Sequence, residues 1–116
     1  MDLTVTVEET TKGYVLIELA GDMDAFASKE FTNVVEDLIK RRKHNLIVDT
    51  AKVTYIDSVG ARALLAGLKK TLENKGDLCL IHEKSPVGRF LAVAGLDKKF
   101  KVFKTRHEAS QQLRVN

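Results

Sequence analysis

The chain has 116 residues, 44% of them hydrophobic and 30% charged, with one proline and no tryptophan. That length favours one domain, and a chain of this size buries roughly two-thirds of its unfolded surface without metal or disulfide staples. Nineteen Lys and Arg against sixteen Asp and Glu leave a net charge of +3, well short of the clustered basic face of a dedicated nucleic-acid binder.

Leu3, Val5 and Val7 alternate with Thr4, Thr6 and Glu8, as in a strand with one wet face. Thr10-Thr11-Lys12-Gly13 is a turn signal, and Tyr14 to Leu19 resumes an apolar, β-branched run, so the two segments read as a hairpin. Gly21-Asp22-Met23-Asp24 is expected to break the strand and to supply an acidic helix start. From Asp24 to about Arg42, Phe31, Val34, Val35 and Leu38 recur at spacings of three and four that line one helix face. The basic run Lys40 to His44 then falls where cations meet the negative end of the helix dipole.

Asn45 to Asp49 is short and bounded, which predicts a buried strand, with Thr50 to Tyr55 as a linker beyond it. After Ile56-Asp57-Ser58-Val59-Gly60, the residues Ala61, Leu64, Leu65, Leu68 and Leu72 form a second single-face stripe ending near Asn74, with Gly76 suited to a left-handed cap. Asp77 to His82 is a further strand. Ser85-Pro86 combines a capping serine with proline at the first helical position, opening a helix that runs to Gly95. Phe100 to Phe103 reads as a short edge strand and His107 to Leu113 as a last helix. The order implies an α/β layer protein, with parallel neighbours for the strands joined by helical crossovers. The five phenylalanines are most simply core.

Cys79 has no internal partner and sits in an apolar run, which points to a reduced, cytoplasmic setting. Met1-Asp2-Leu3-Thr4 lacks the order of a signal peptide, and no apolar segment nears the ~20 residues of a spanning helix, so no membrane association is expected. His44, His82 and His107 lack metal-ligand spacing, and no glycine-rich phosphate loop is present, so no metal or cofactor is assigned. A Ser58–His82–Asp57 hydrolase lacks the Gly-x-Ser-x-Gly elbow, and adjacent Asp57 and Ser58 do not place an acid behind a histidine.

The informative segment is Asp57-Ser58-Val59-Gly60, at the mouth of a helix. Two readings stand side by side. Asp57 or Ser58 is an N-cap for unpaired backbone N–H groups, or Ser58 accepts a phosphate that those N–H groups and the helix dipole stabilise. Phosphate there would add about −1.5 to −2 charges to a local surface without altering the fold.

Four segments, in order, resemble a STAS domain of the bacterial anti-sigma factor antagonist family. Gly21-Asp22-Met23-Asp24 resembles the family's Gly-Glu-Leu-Asp element, and Asn45 to Asp49 its central strand. Tyr55 to Gly60 resembles the signature Asp-Ser-Ser-Gly region, and Ala94 to Phe100 the late Gly-Leu-Asp segment. The likeness spans nearly all of residues 1–116 and implies one α/β domain. Its sheet is mostly parallel, with four or five strands, an N-terminal hairpin and about four helices.

Carried over residue by residue, the resemblance makes Ser58 the phosphoacceptor and places Asp24 and Asp57 near it, at the surface that meets a partner kinase. The partner surface is read as Asp24, Asp57, Ser58, Val59, Gly60 and Arg62. Val59 stands where the family has its second serine and Ala61 where it has leucine, so Ser58 is the lone acceptor. The implied function is regulatory and not enzymatic. The unphosphorylated chain binds an anti-sigma factor that is a serine kinase, releasing a sigma factor, and phosphorylation of Ser58 ends the complex. The alternatives are a scaffold subunit of a stress-signalling assembly, or a nucleic-acid module using Lys40 to Lys43 with Arg62.

Overall fold

The computed structural model describes residues 2–10, 13–82 and 85–113. Strands β1 (Thr4–Glu9) and β2 (Val15–Met23) form the antiparallel hairpin, paired from Thr4 with Ala20 to Glu9 with Val15. Thr11 and Lys12 of its turn lie outside the described residues, and Gly13 beyond them takes φ +80°. Along β2 each odd residue is buried and each even one half-buried, the period of two of a strand with one face in the core. Helix α1 (Ser28–Lys40), strand β3 (Asn45–Ile56), helix α2 (Ser58–Glu73) and strand β4 (Asp77–Ile81) follow. Helix α3 (Pro86–Val93), a 3-10 turn (Asp97–Lys99), strand β5 (Lys101–Phe103) and helix α4 (Arg106–Leu113) complete the order.

The five strands lie in sequence order, with β2 to β5 mutually parallel. Crossovers between parallel strands are right-handed. Three in succession that step in the same direction therefore set α1, α2 and α3 on one face of the sheet. That face holds the larger core, where Phe31, Val35 and Leu38 of α1 and Ala61, Leu64 and Leu68 of α2 meet Ile17, Leu19, Leu46, Val48, Leu78 and Leu80. Each fully buried leucine or phenylalanine there contributes roughly 1.5–3 kcal/mol. The opposite face carries only α4, whose Ala109 packs on Ile47, Cys79, Ile81 and Phe103. The expected α/β sheet, hairpin and four helices are all present among the described residues.

Three local expectations are corrected. Gly21 does not end β2. Strand pairing continues through Met23, with irregular register on either side of Gly21, which takes φ +111° and lies where a Cβ would be 2.3 Å from the Asp2 carbonyl oxygen. The following helix consequently starts at Ser28 and ends at Lys40, inside the expected span from Asp24 to Arg42.

Thr50 to Tyr55 is not a linker but the second half of β3. Lys52, Val53, Tyr55 and Ile56 pair with Ala20, Gly21, Asp22 and Met23, while Val53 and Ile56 bury themselves and the Thr50 hydroxyl donates to the Ile81 carbonyl at 2.7 Å. The left-handed residue after α2 is Lys75, at φ 63°, and not Gly76. Glycine is needed at position 76 for space, since a Cβ would stand 1.9 Å from the His44 carbonyl oxygen. Ser85 caps α3 as expected, accepting from the Val87 N–H at 3.2 Å with Pro86 first in the helix. Phe26 departs from the core assignment of the phenylalanines and is exposed.

Candidate functional site

Parallel pairing of β2 with β3 brings the predicted residues together. Met23 pairs with Ile56, so Asp24 and Asp57 leave the carboxyl ends of adjacent strands side by side. Gly60 seals that junction: a Cβ on it would lie 2.2 Å from the Met23 carbonyl oxygen, and only glycine lets the start of α2 approach β2 so closely. Gly60 is thus buried. Its place among the predicted partner-surface residues is therefore one of backbone spacing.

The capping question raised by the sequence has a definite answer. Asp57, in extended conformation, is the N-cap of α2, and its Oδ1 accepts from the Gly60 N–H at 2.9 Å. Ser58 is the first residue of the helix, exposed, and its hydroxyl has no hydrogen-bond partner among the described residues. Asp24 does similar work before α1. Its Oδ1 accepts from the Ala27 N–H at 2.8 Å, and its carbonyl accepts from the Ser28 N–H at 2.9 Å and the Ser28 hydroxyl at 2.6 Å. Both acids are therefore committed to backbone turns, and Ser58 alone is left with a free hydroxyl.

Val59 and Arg62 line a cleft of about 420 Å³ between α1 and α2, together with Ala25, Ser28, Lys29 and Thr32. Phe26, Tyr55 and Val59 are 88%, 50% and 40% exposed, unusual for side chains of this size, and all three stand within three residues of the Met23–Ile56 pair. Sequence periodicity found neither Phe26, which precedes the apolar stripe of α1, nor Lys29, whose relevance depends on α2 lying opposite. On the other side of Asp24 a second cleft gathers Asp2, Asp22, Asp24 and Glu30 around Lys29 and Phe26, and Asp22 accepts from the Thr54 hydroxyl at 3.0 Å.

Arg62 does not join Lys40 to Lys43. It is in the first turn of α2, beside the start of α1, whereas the basic run follows the last turn of α1 at the far end of the helix pair. Within that run Arg41 pairs with Asp37 at 3.1 Å and Lys43 with Glu9 at 2.7 Å, the latter holding the Glu9 carboxyl below its ordinary range. Among the described residues no three His, Cys, Asp or Glu side chains converge as a metal site. Burial pushes the Cys79 thiol up to about 12, with the nearby Asp77 carboxylate adding to the shift, so the thiol stays protonated and unreactive at neutral pH. No helix among the described residues is long and apolar enough to cross a membrane.

Residues 5–109 match the STAS domain family model, and the chain belongs to that family. Anti-sigma-F factor antagonist RsfB of Mycobacterium tuberculosis is 24% identical over 107 residues, covering 92% of this chain and 86% of that protein. A crystal structure of an anti-sigma factor antagonist from Mycobacterium paratuberculosis superposes with a TM-score of 0.86 at 22% identity, over 97% of this chain and 95% of the other. The Bacillus cell fate determinant SpoIIAA in its phosphorylated form superposes with a TM-score of 0.75 at 20% identity, over 96% of this chain and all of that one, 100%. The curated relatives that it matches are anti-sigma factor antagonists, regulators and not enzymes, in line with the expectation from the sequence.

Proposed function

We propose that this chain, as one STAS domain, is a cytoplasmic anti-sigma factor antagonist switched at Ser58. The unphosphorylated chain binds an anti-sigma factor through the Ser58 edge, with Val59 and Arg62 exposed beside it and Asp24 and Asp57 shaping its backbone. Binding frees a sigma factor. The anti-sigma factor is also a serine kinase: the Ser58 oxygen attacks the γ-phosphorus of a nucleoside triphosphate, its proton passes to a base on the kinase, and the nucleoside diphosphate leaves. The added charge of about −1.5 to −2 and the added bulk then separate surfaces that had packed closely.

The observation that carries this reading is the division of labour at the start of α2. Because Asp57 caps the helix, the Ser58 hydroxyl is exposed and uncommitted, free to be modified without cost to the fold. The exposed Phe26, Tyr55 and Val59 around it support a protein partner, since apolar groups of that size gathered on a surface mark interaction sites. A fold neighbour known in a phosphorylated form supports the modification.

The test is titration of wild-type, Ser58→Ala and Ser58→Asp chains against each anti-sigma factor kinase of the source organism, with nucleoside triphosphate present or absent. Wild type and Ser58→Ala should bind equally when the nucleotide is withheld, Ser58→Asp should bind at least about tenfold more weakly (~1.4 kcal/mol), and only wild type should gain a phosphoryl group. Equal binding by Ser58→Ala and Ser58→Asp would sink the switch.

A further inference from the structure

Arg62 stands four residues after Ser58 on α2, so the two side chains share a helix face with Cβ atoms roughly 6 Å apart. Lys29 of α1 lines the same cleft as Arg62, from the opposite bank. Neither cation has a carboxylate partner among the described residues, which is true also of other surface cations such as Lys40, Arg42 and Lys69. The two acids nearest Ser58, Asp24 and Asp57, accept from backbone N–H groups through Oδ1 and form no ion pair with either cation among the described residues. Arg62 is thus an exposed, unpaired cation one helical turn from an exposed, unpaired hydroxyl, and Lys29 stands across the cleft that Arg62 lines.

We propose that Arg62 is the internal receptor of the phosphate on Ser58, with Lys29 as a weaker second contact across the cleft. This rests on the reading of Ser58 as a phosphoacceptor. A guanidinium offers two parallel N–H donors to a phosphate, and a phosphoserine opposite such a group forms one to three charge-assisted hydrogen bonds. Phosphorylation then acts twice on the partner surface: it adds a dianion, and it withdraws an exposed arginine that had been available to an acidic group of the partner. The charged groups nearest position 58 in the fold are Asp57 and Arg62 on its own helix and Asp24 just after β2, while Lys29, across the cleft from Arg62, also lines the cleft of Asp2, Asp22, Asp24 and Glu30.

The experiment needs no kinase. Phosphoserine is installed at position 58 during translation, and its second ionisation is followed by phosphorus NMR in the full chain and in Arg62→Gln, Lys29→Gln and Lys69→Gln variants. Free phosphoserine titrates near pH 6, and a facing cation favours the dianion and lowers that midpoint. The helix N-terminus lowers it equally in all four chains, so differences isolate the side chains.

Arg62→Gln should raise the midpoint by roughly half to one pH unit and Lys29→Gln by less, while Lys69→Gln, near the other end of α2, should leave it unmoved. An Arg62→Lys chain should recover part of the shift, having the charge without the fork. Equal midpoints in the unaltered and Arg62→Gln chains would overturn the proposal, as would an equal rise on Lys69→Gln, which would reveal only a general charge effect. Because the phosphate is installed, failure here leaves the Ser58 switch standing, and absence of kinase-dependent modification leaves this result intact.

Discussion

The two faces of the sheet are held by different means. The face under α1, α2 and α3 has a continuous apolar core that includes Ile17, Leu19, Phe31, Leu38, Leu64 and Leu78. The face under α4 has a small apolar cluster of Ile47, Cys79, Ile81, Phe103 and Ala109 and leans also on ions. Arg106, at the start of α4, donates from Nε to Asp49 Oδ2 at 2.6 Å and from its other arm to Glu18, which also meets Lys52 at 3.5 Å. Salt screens exposed ion pairs and does not screen apolar contact. The candidate site sits on the first face, where the backbone that presents Ser58 is fixed by close packing and not by charges that a phosphate would disturb.

Gly60→Ala attacks that packing where it is tightest and should have the largest effect. The new methyl would meet the Met23 carbonyl, a backbone atom that cannot rotate away, so the start of α2 must lift from β2. Overpacking of this kind costs about 3 kcal/mol, read as a lowered urea midpoint. High salt should leave that loss unchanged. A stability within about 0.5 kcal/mol of wild type would show that the junction is looser than its geometry implies.

Arg106→Met removes the anchor of the second face while keeping much of its aliphatic stem. The arginine side chain is 47% exposed, so its pairs are partly screened, but the Asp49 side chain is 8% exposed and would lose its cation. A loss of about 1–2 kcal/mol is expected after that screening is allowed for. The contrast with Gly60→Ala is the salt response: the gap between Arg106→Met and wild type should narrow as ionic strength rises. A gap independent of salt would mean that α4 is held by Ala109 and its apolar neighbours alone.

The same contrast explains what could be read from the sequence. The first face was legible because its packing is written in local periods, three and four residues on α1 and α2 and two residues on β2. Residues 21–24 were read as a strand break because their partners on β3 are not local, whereas the segment at residues 56–60 was legible because its residue types are tied to particular backbone jobs. The second half of β3 was not, since Lys52, Thr54 and Tyr55 read as loop until β2 is set beside them and gives their backbone partners. Gly76 was assigned to the wrong cause for a similar reason: its constraint comes from His44, more than thirty residues earlier. Arg106 joins residues 57 and 88 positions away, a separation that no local pattern encodes. Lys29 is an ordinary surface lysine until α2 places Arg62 opposite it.

The smallest effect is the most discriminating for the site itself. Asp57→Ala removes the acceptor for the Gly60 N–H and should cost about 1 kcal/mol, the usual worth of an N-cap. Ser58→Ala, one residue later, removes a hydroxyl with no described partner and should change thermal stability by less than about 0.5 kcal/mol. Parallel melting curves of the two variants therefore separate the structural acid from the functional serine. If Ser58→Ala were the more damaging, the hydroxyl would belong to the cap and its freedom for modification would be lost. If Asp57→Ala alone is damaging, the fold maintains its helix start independently of Ser58, as the proposed switch requires.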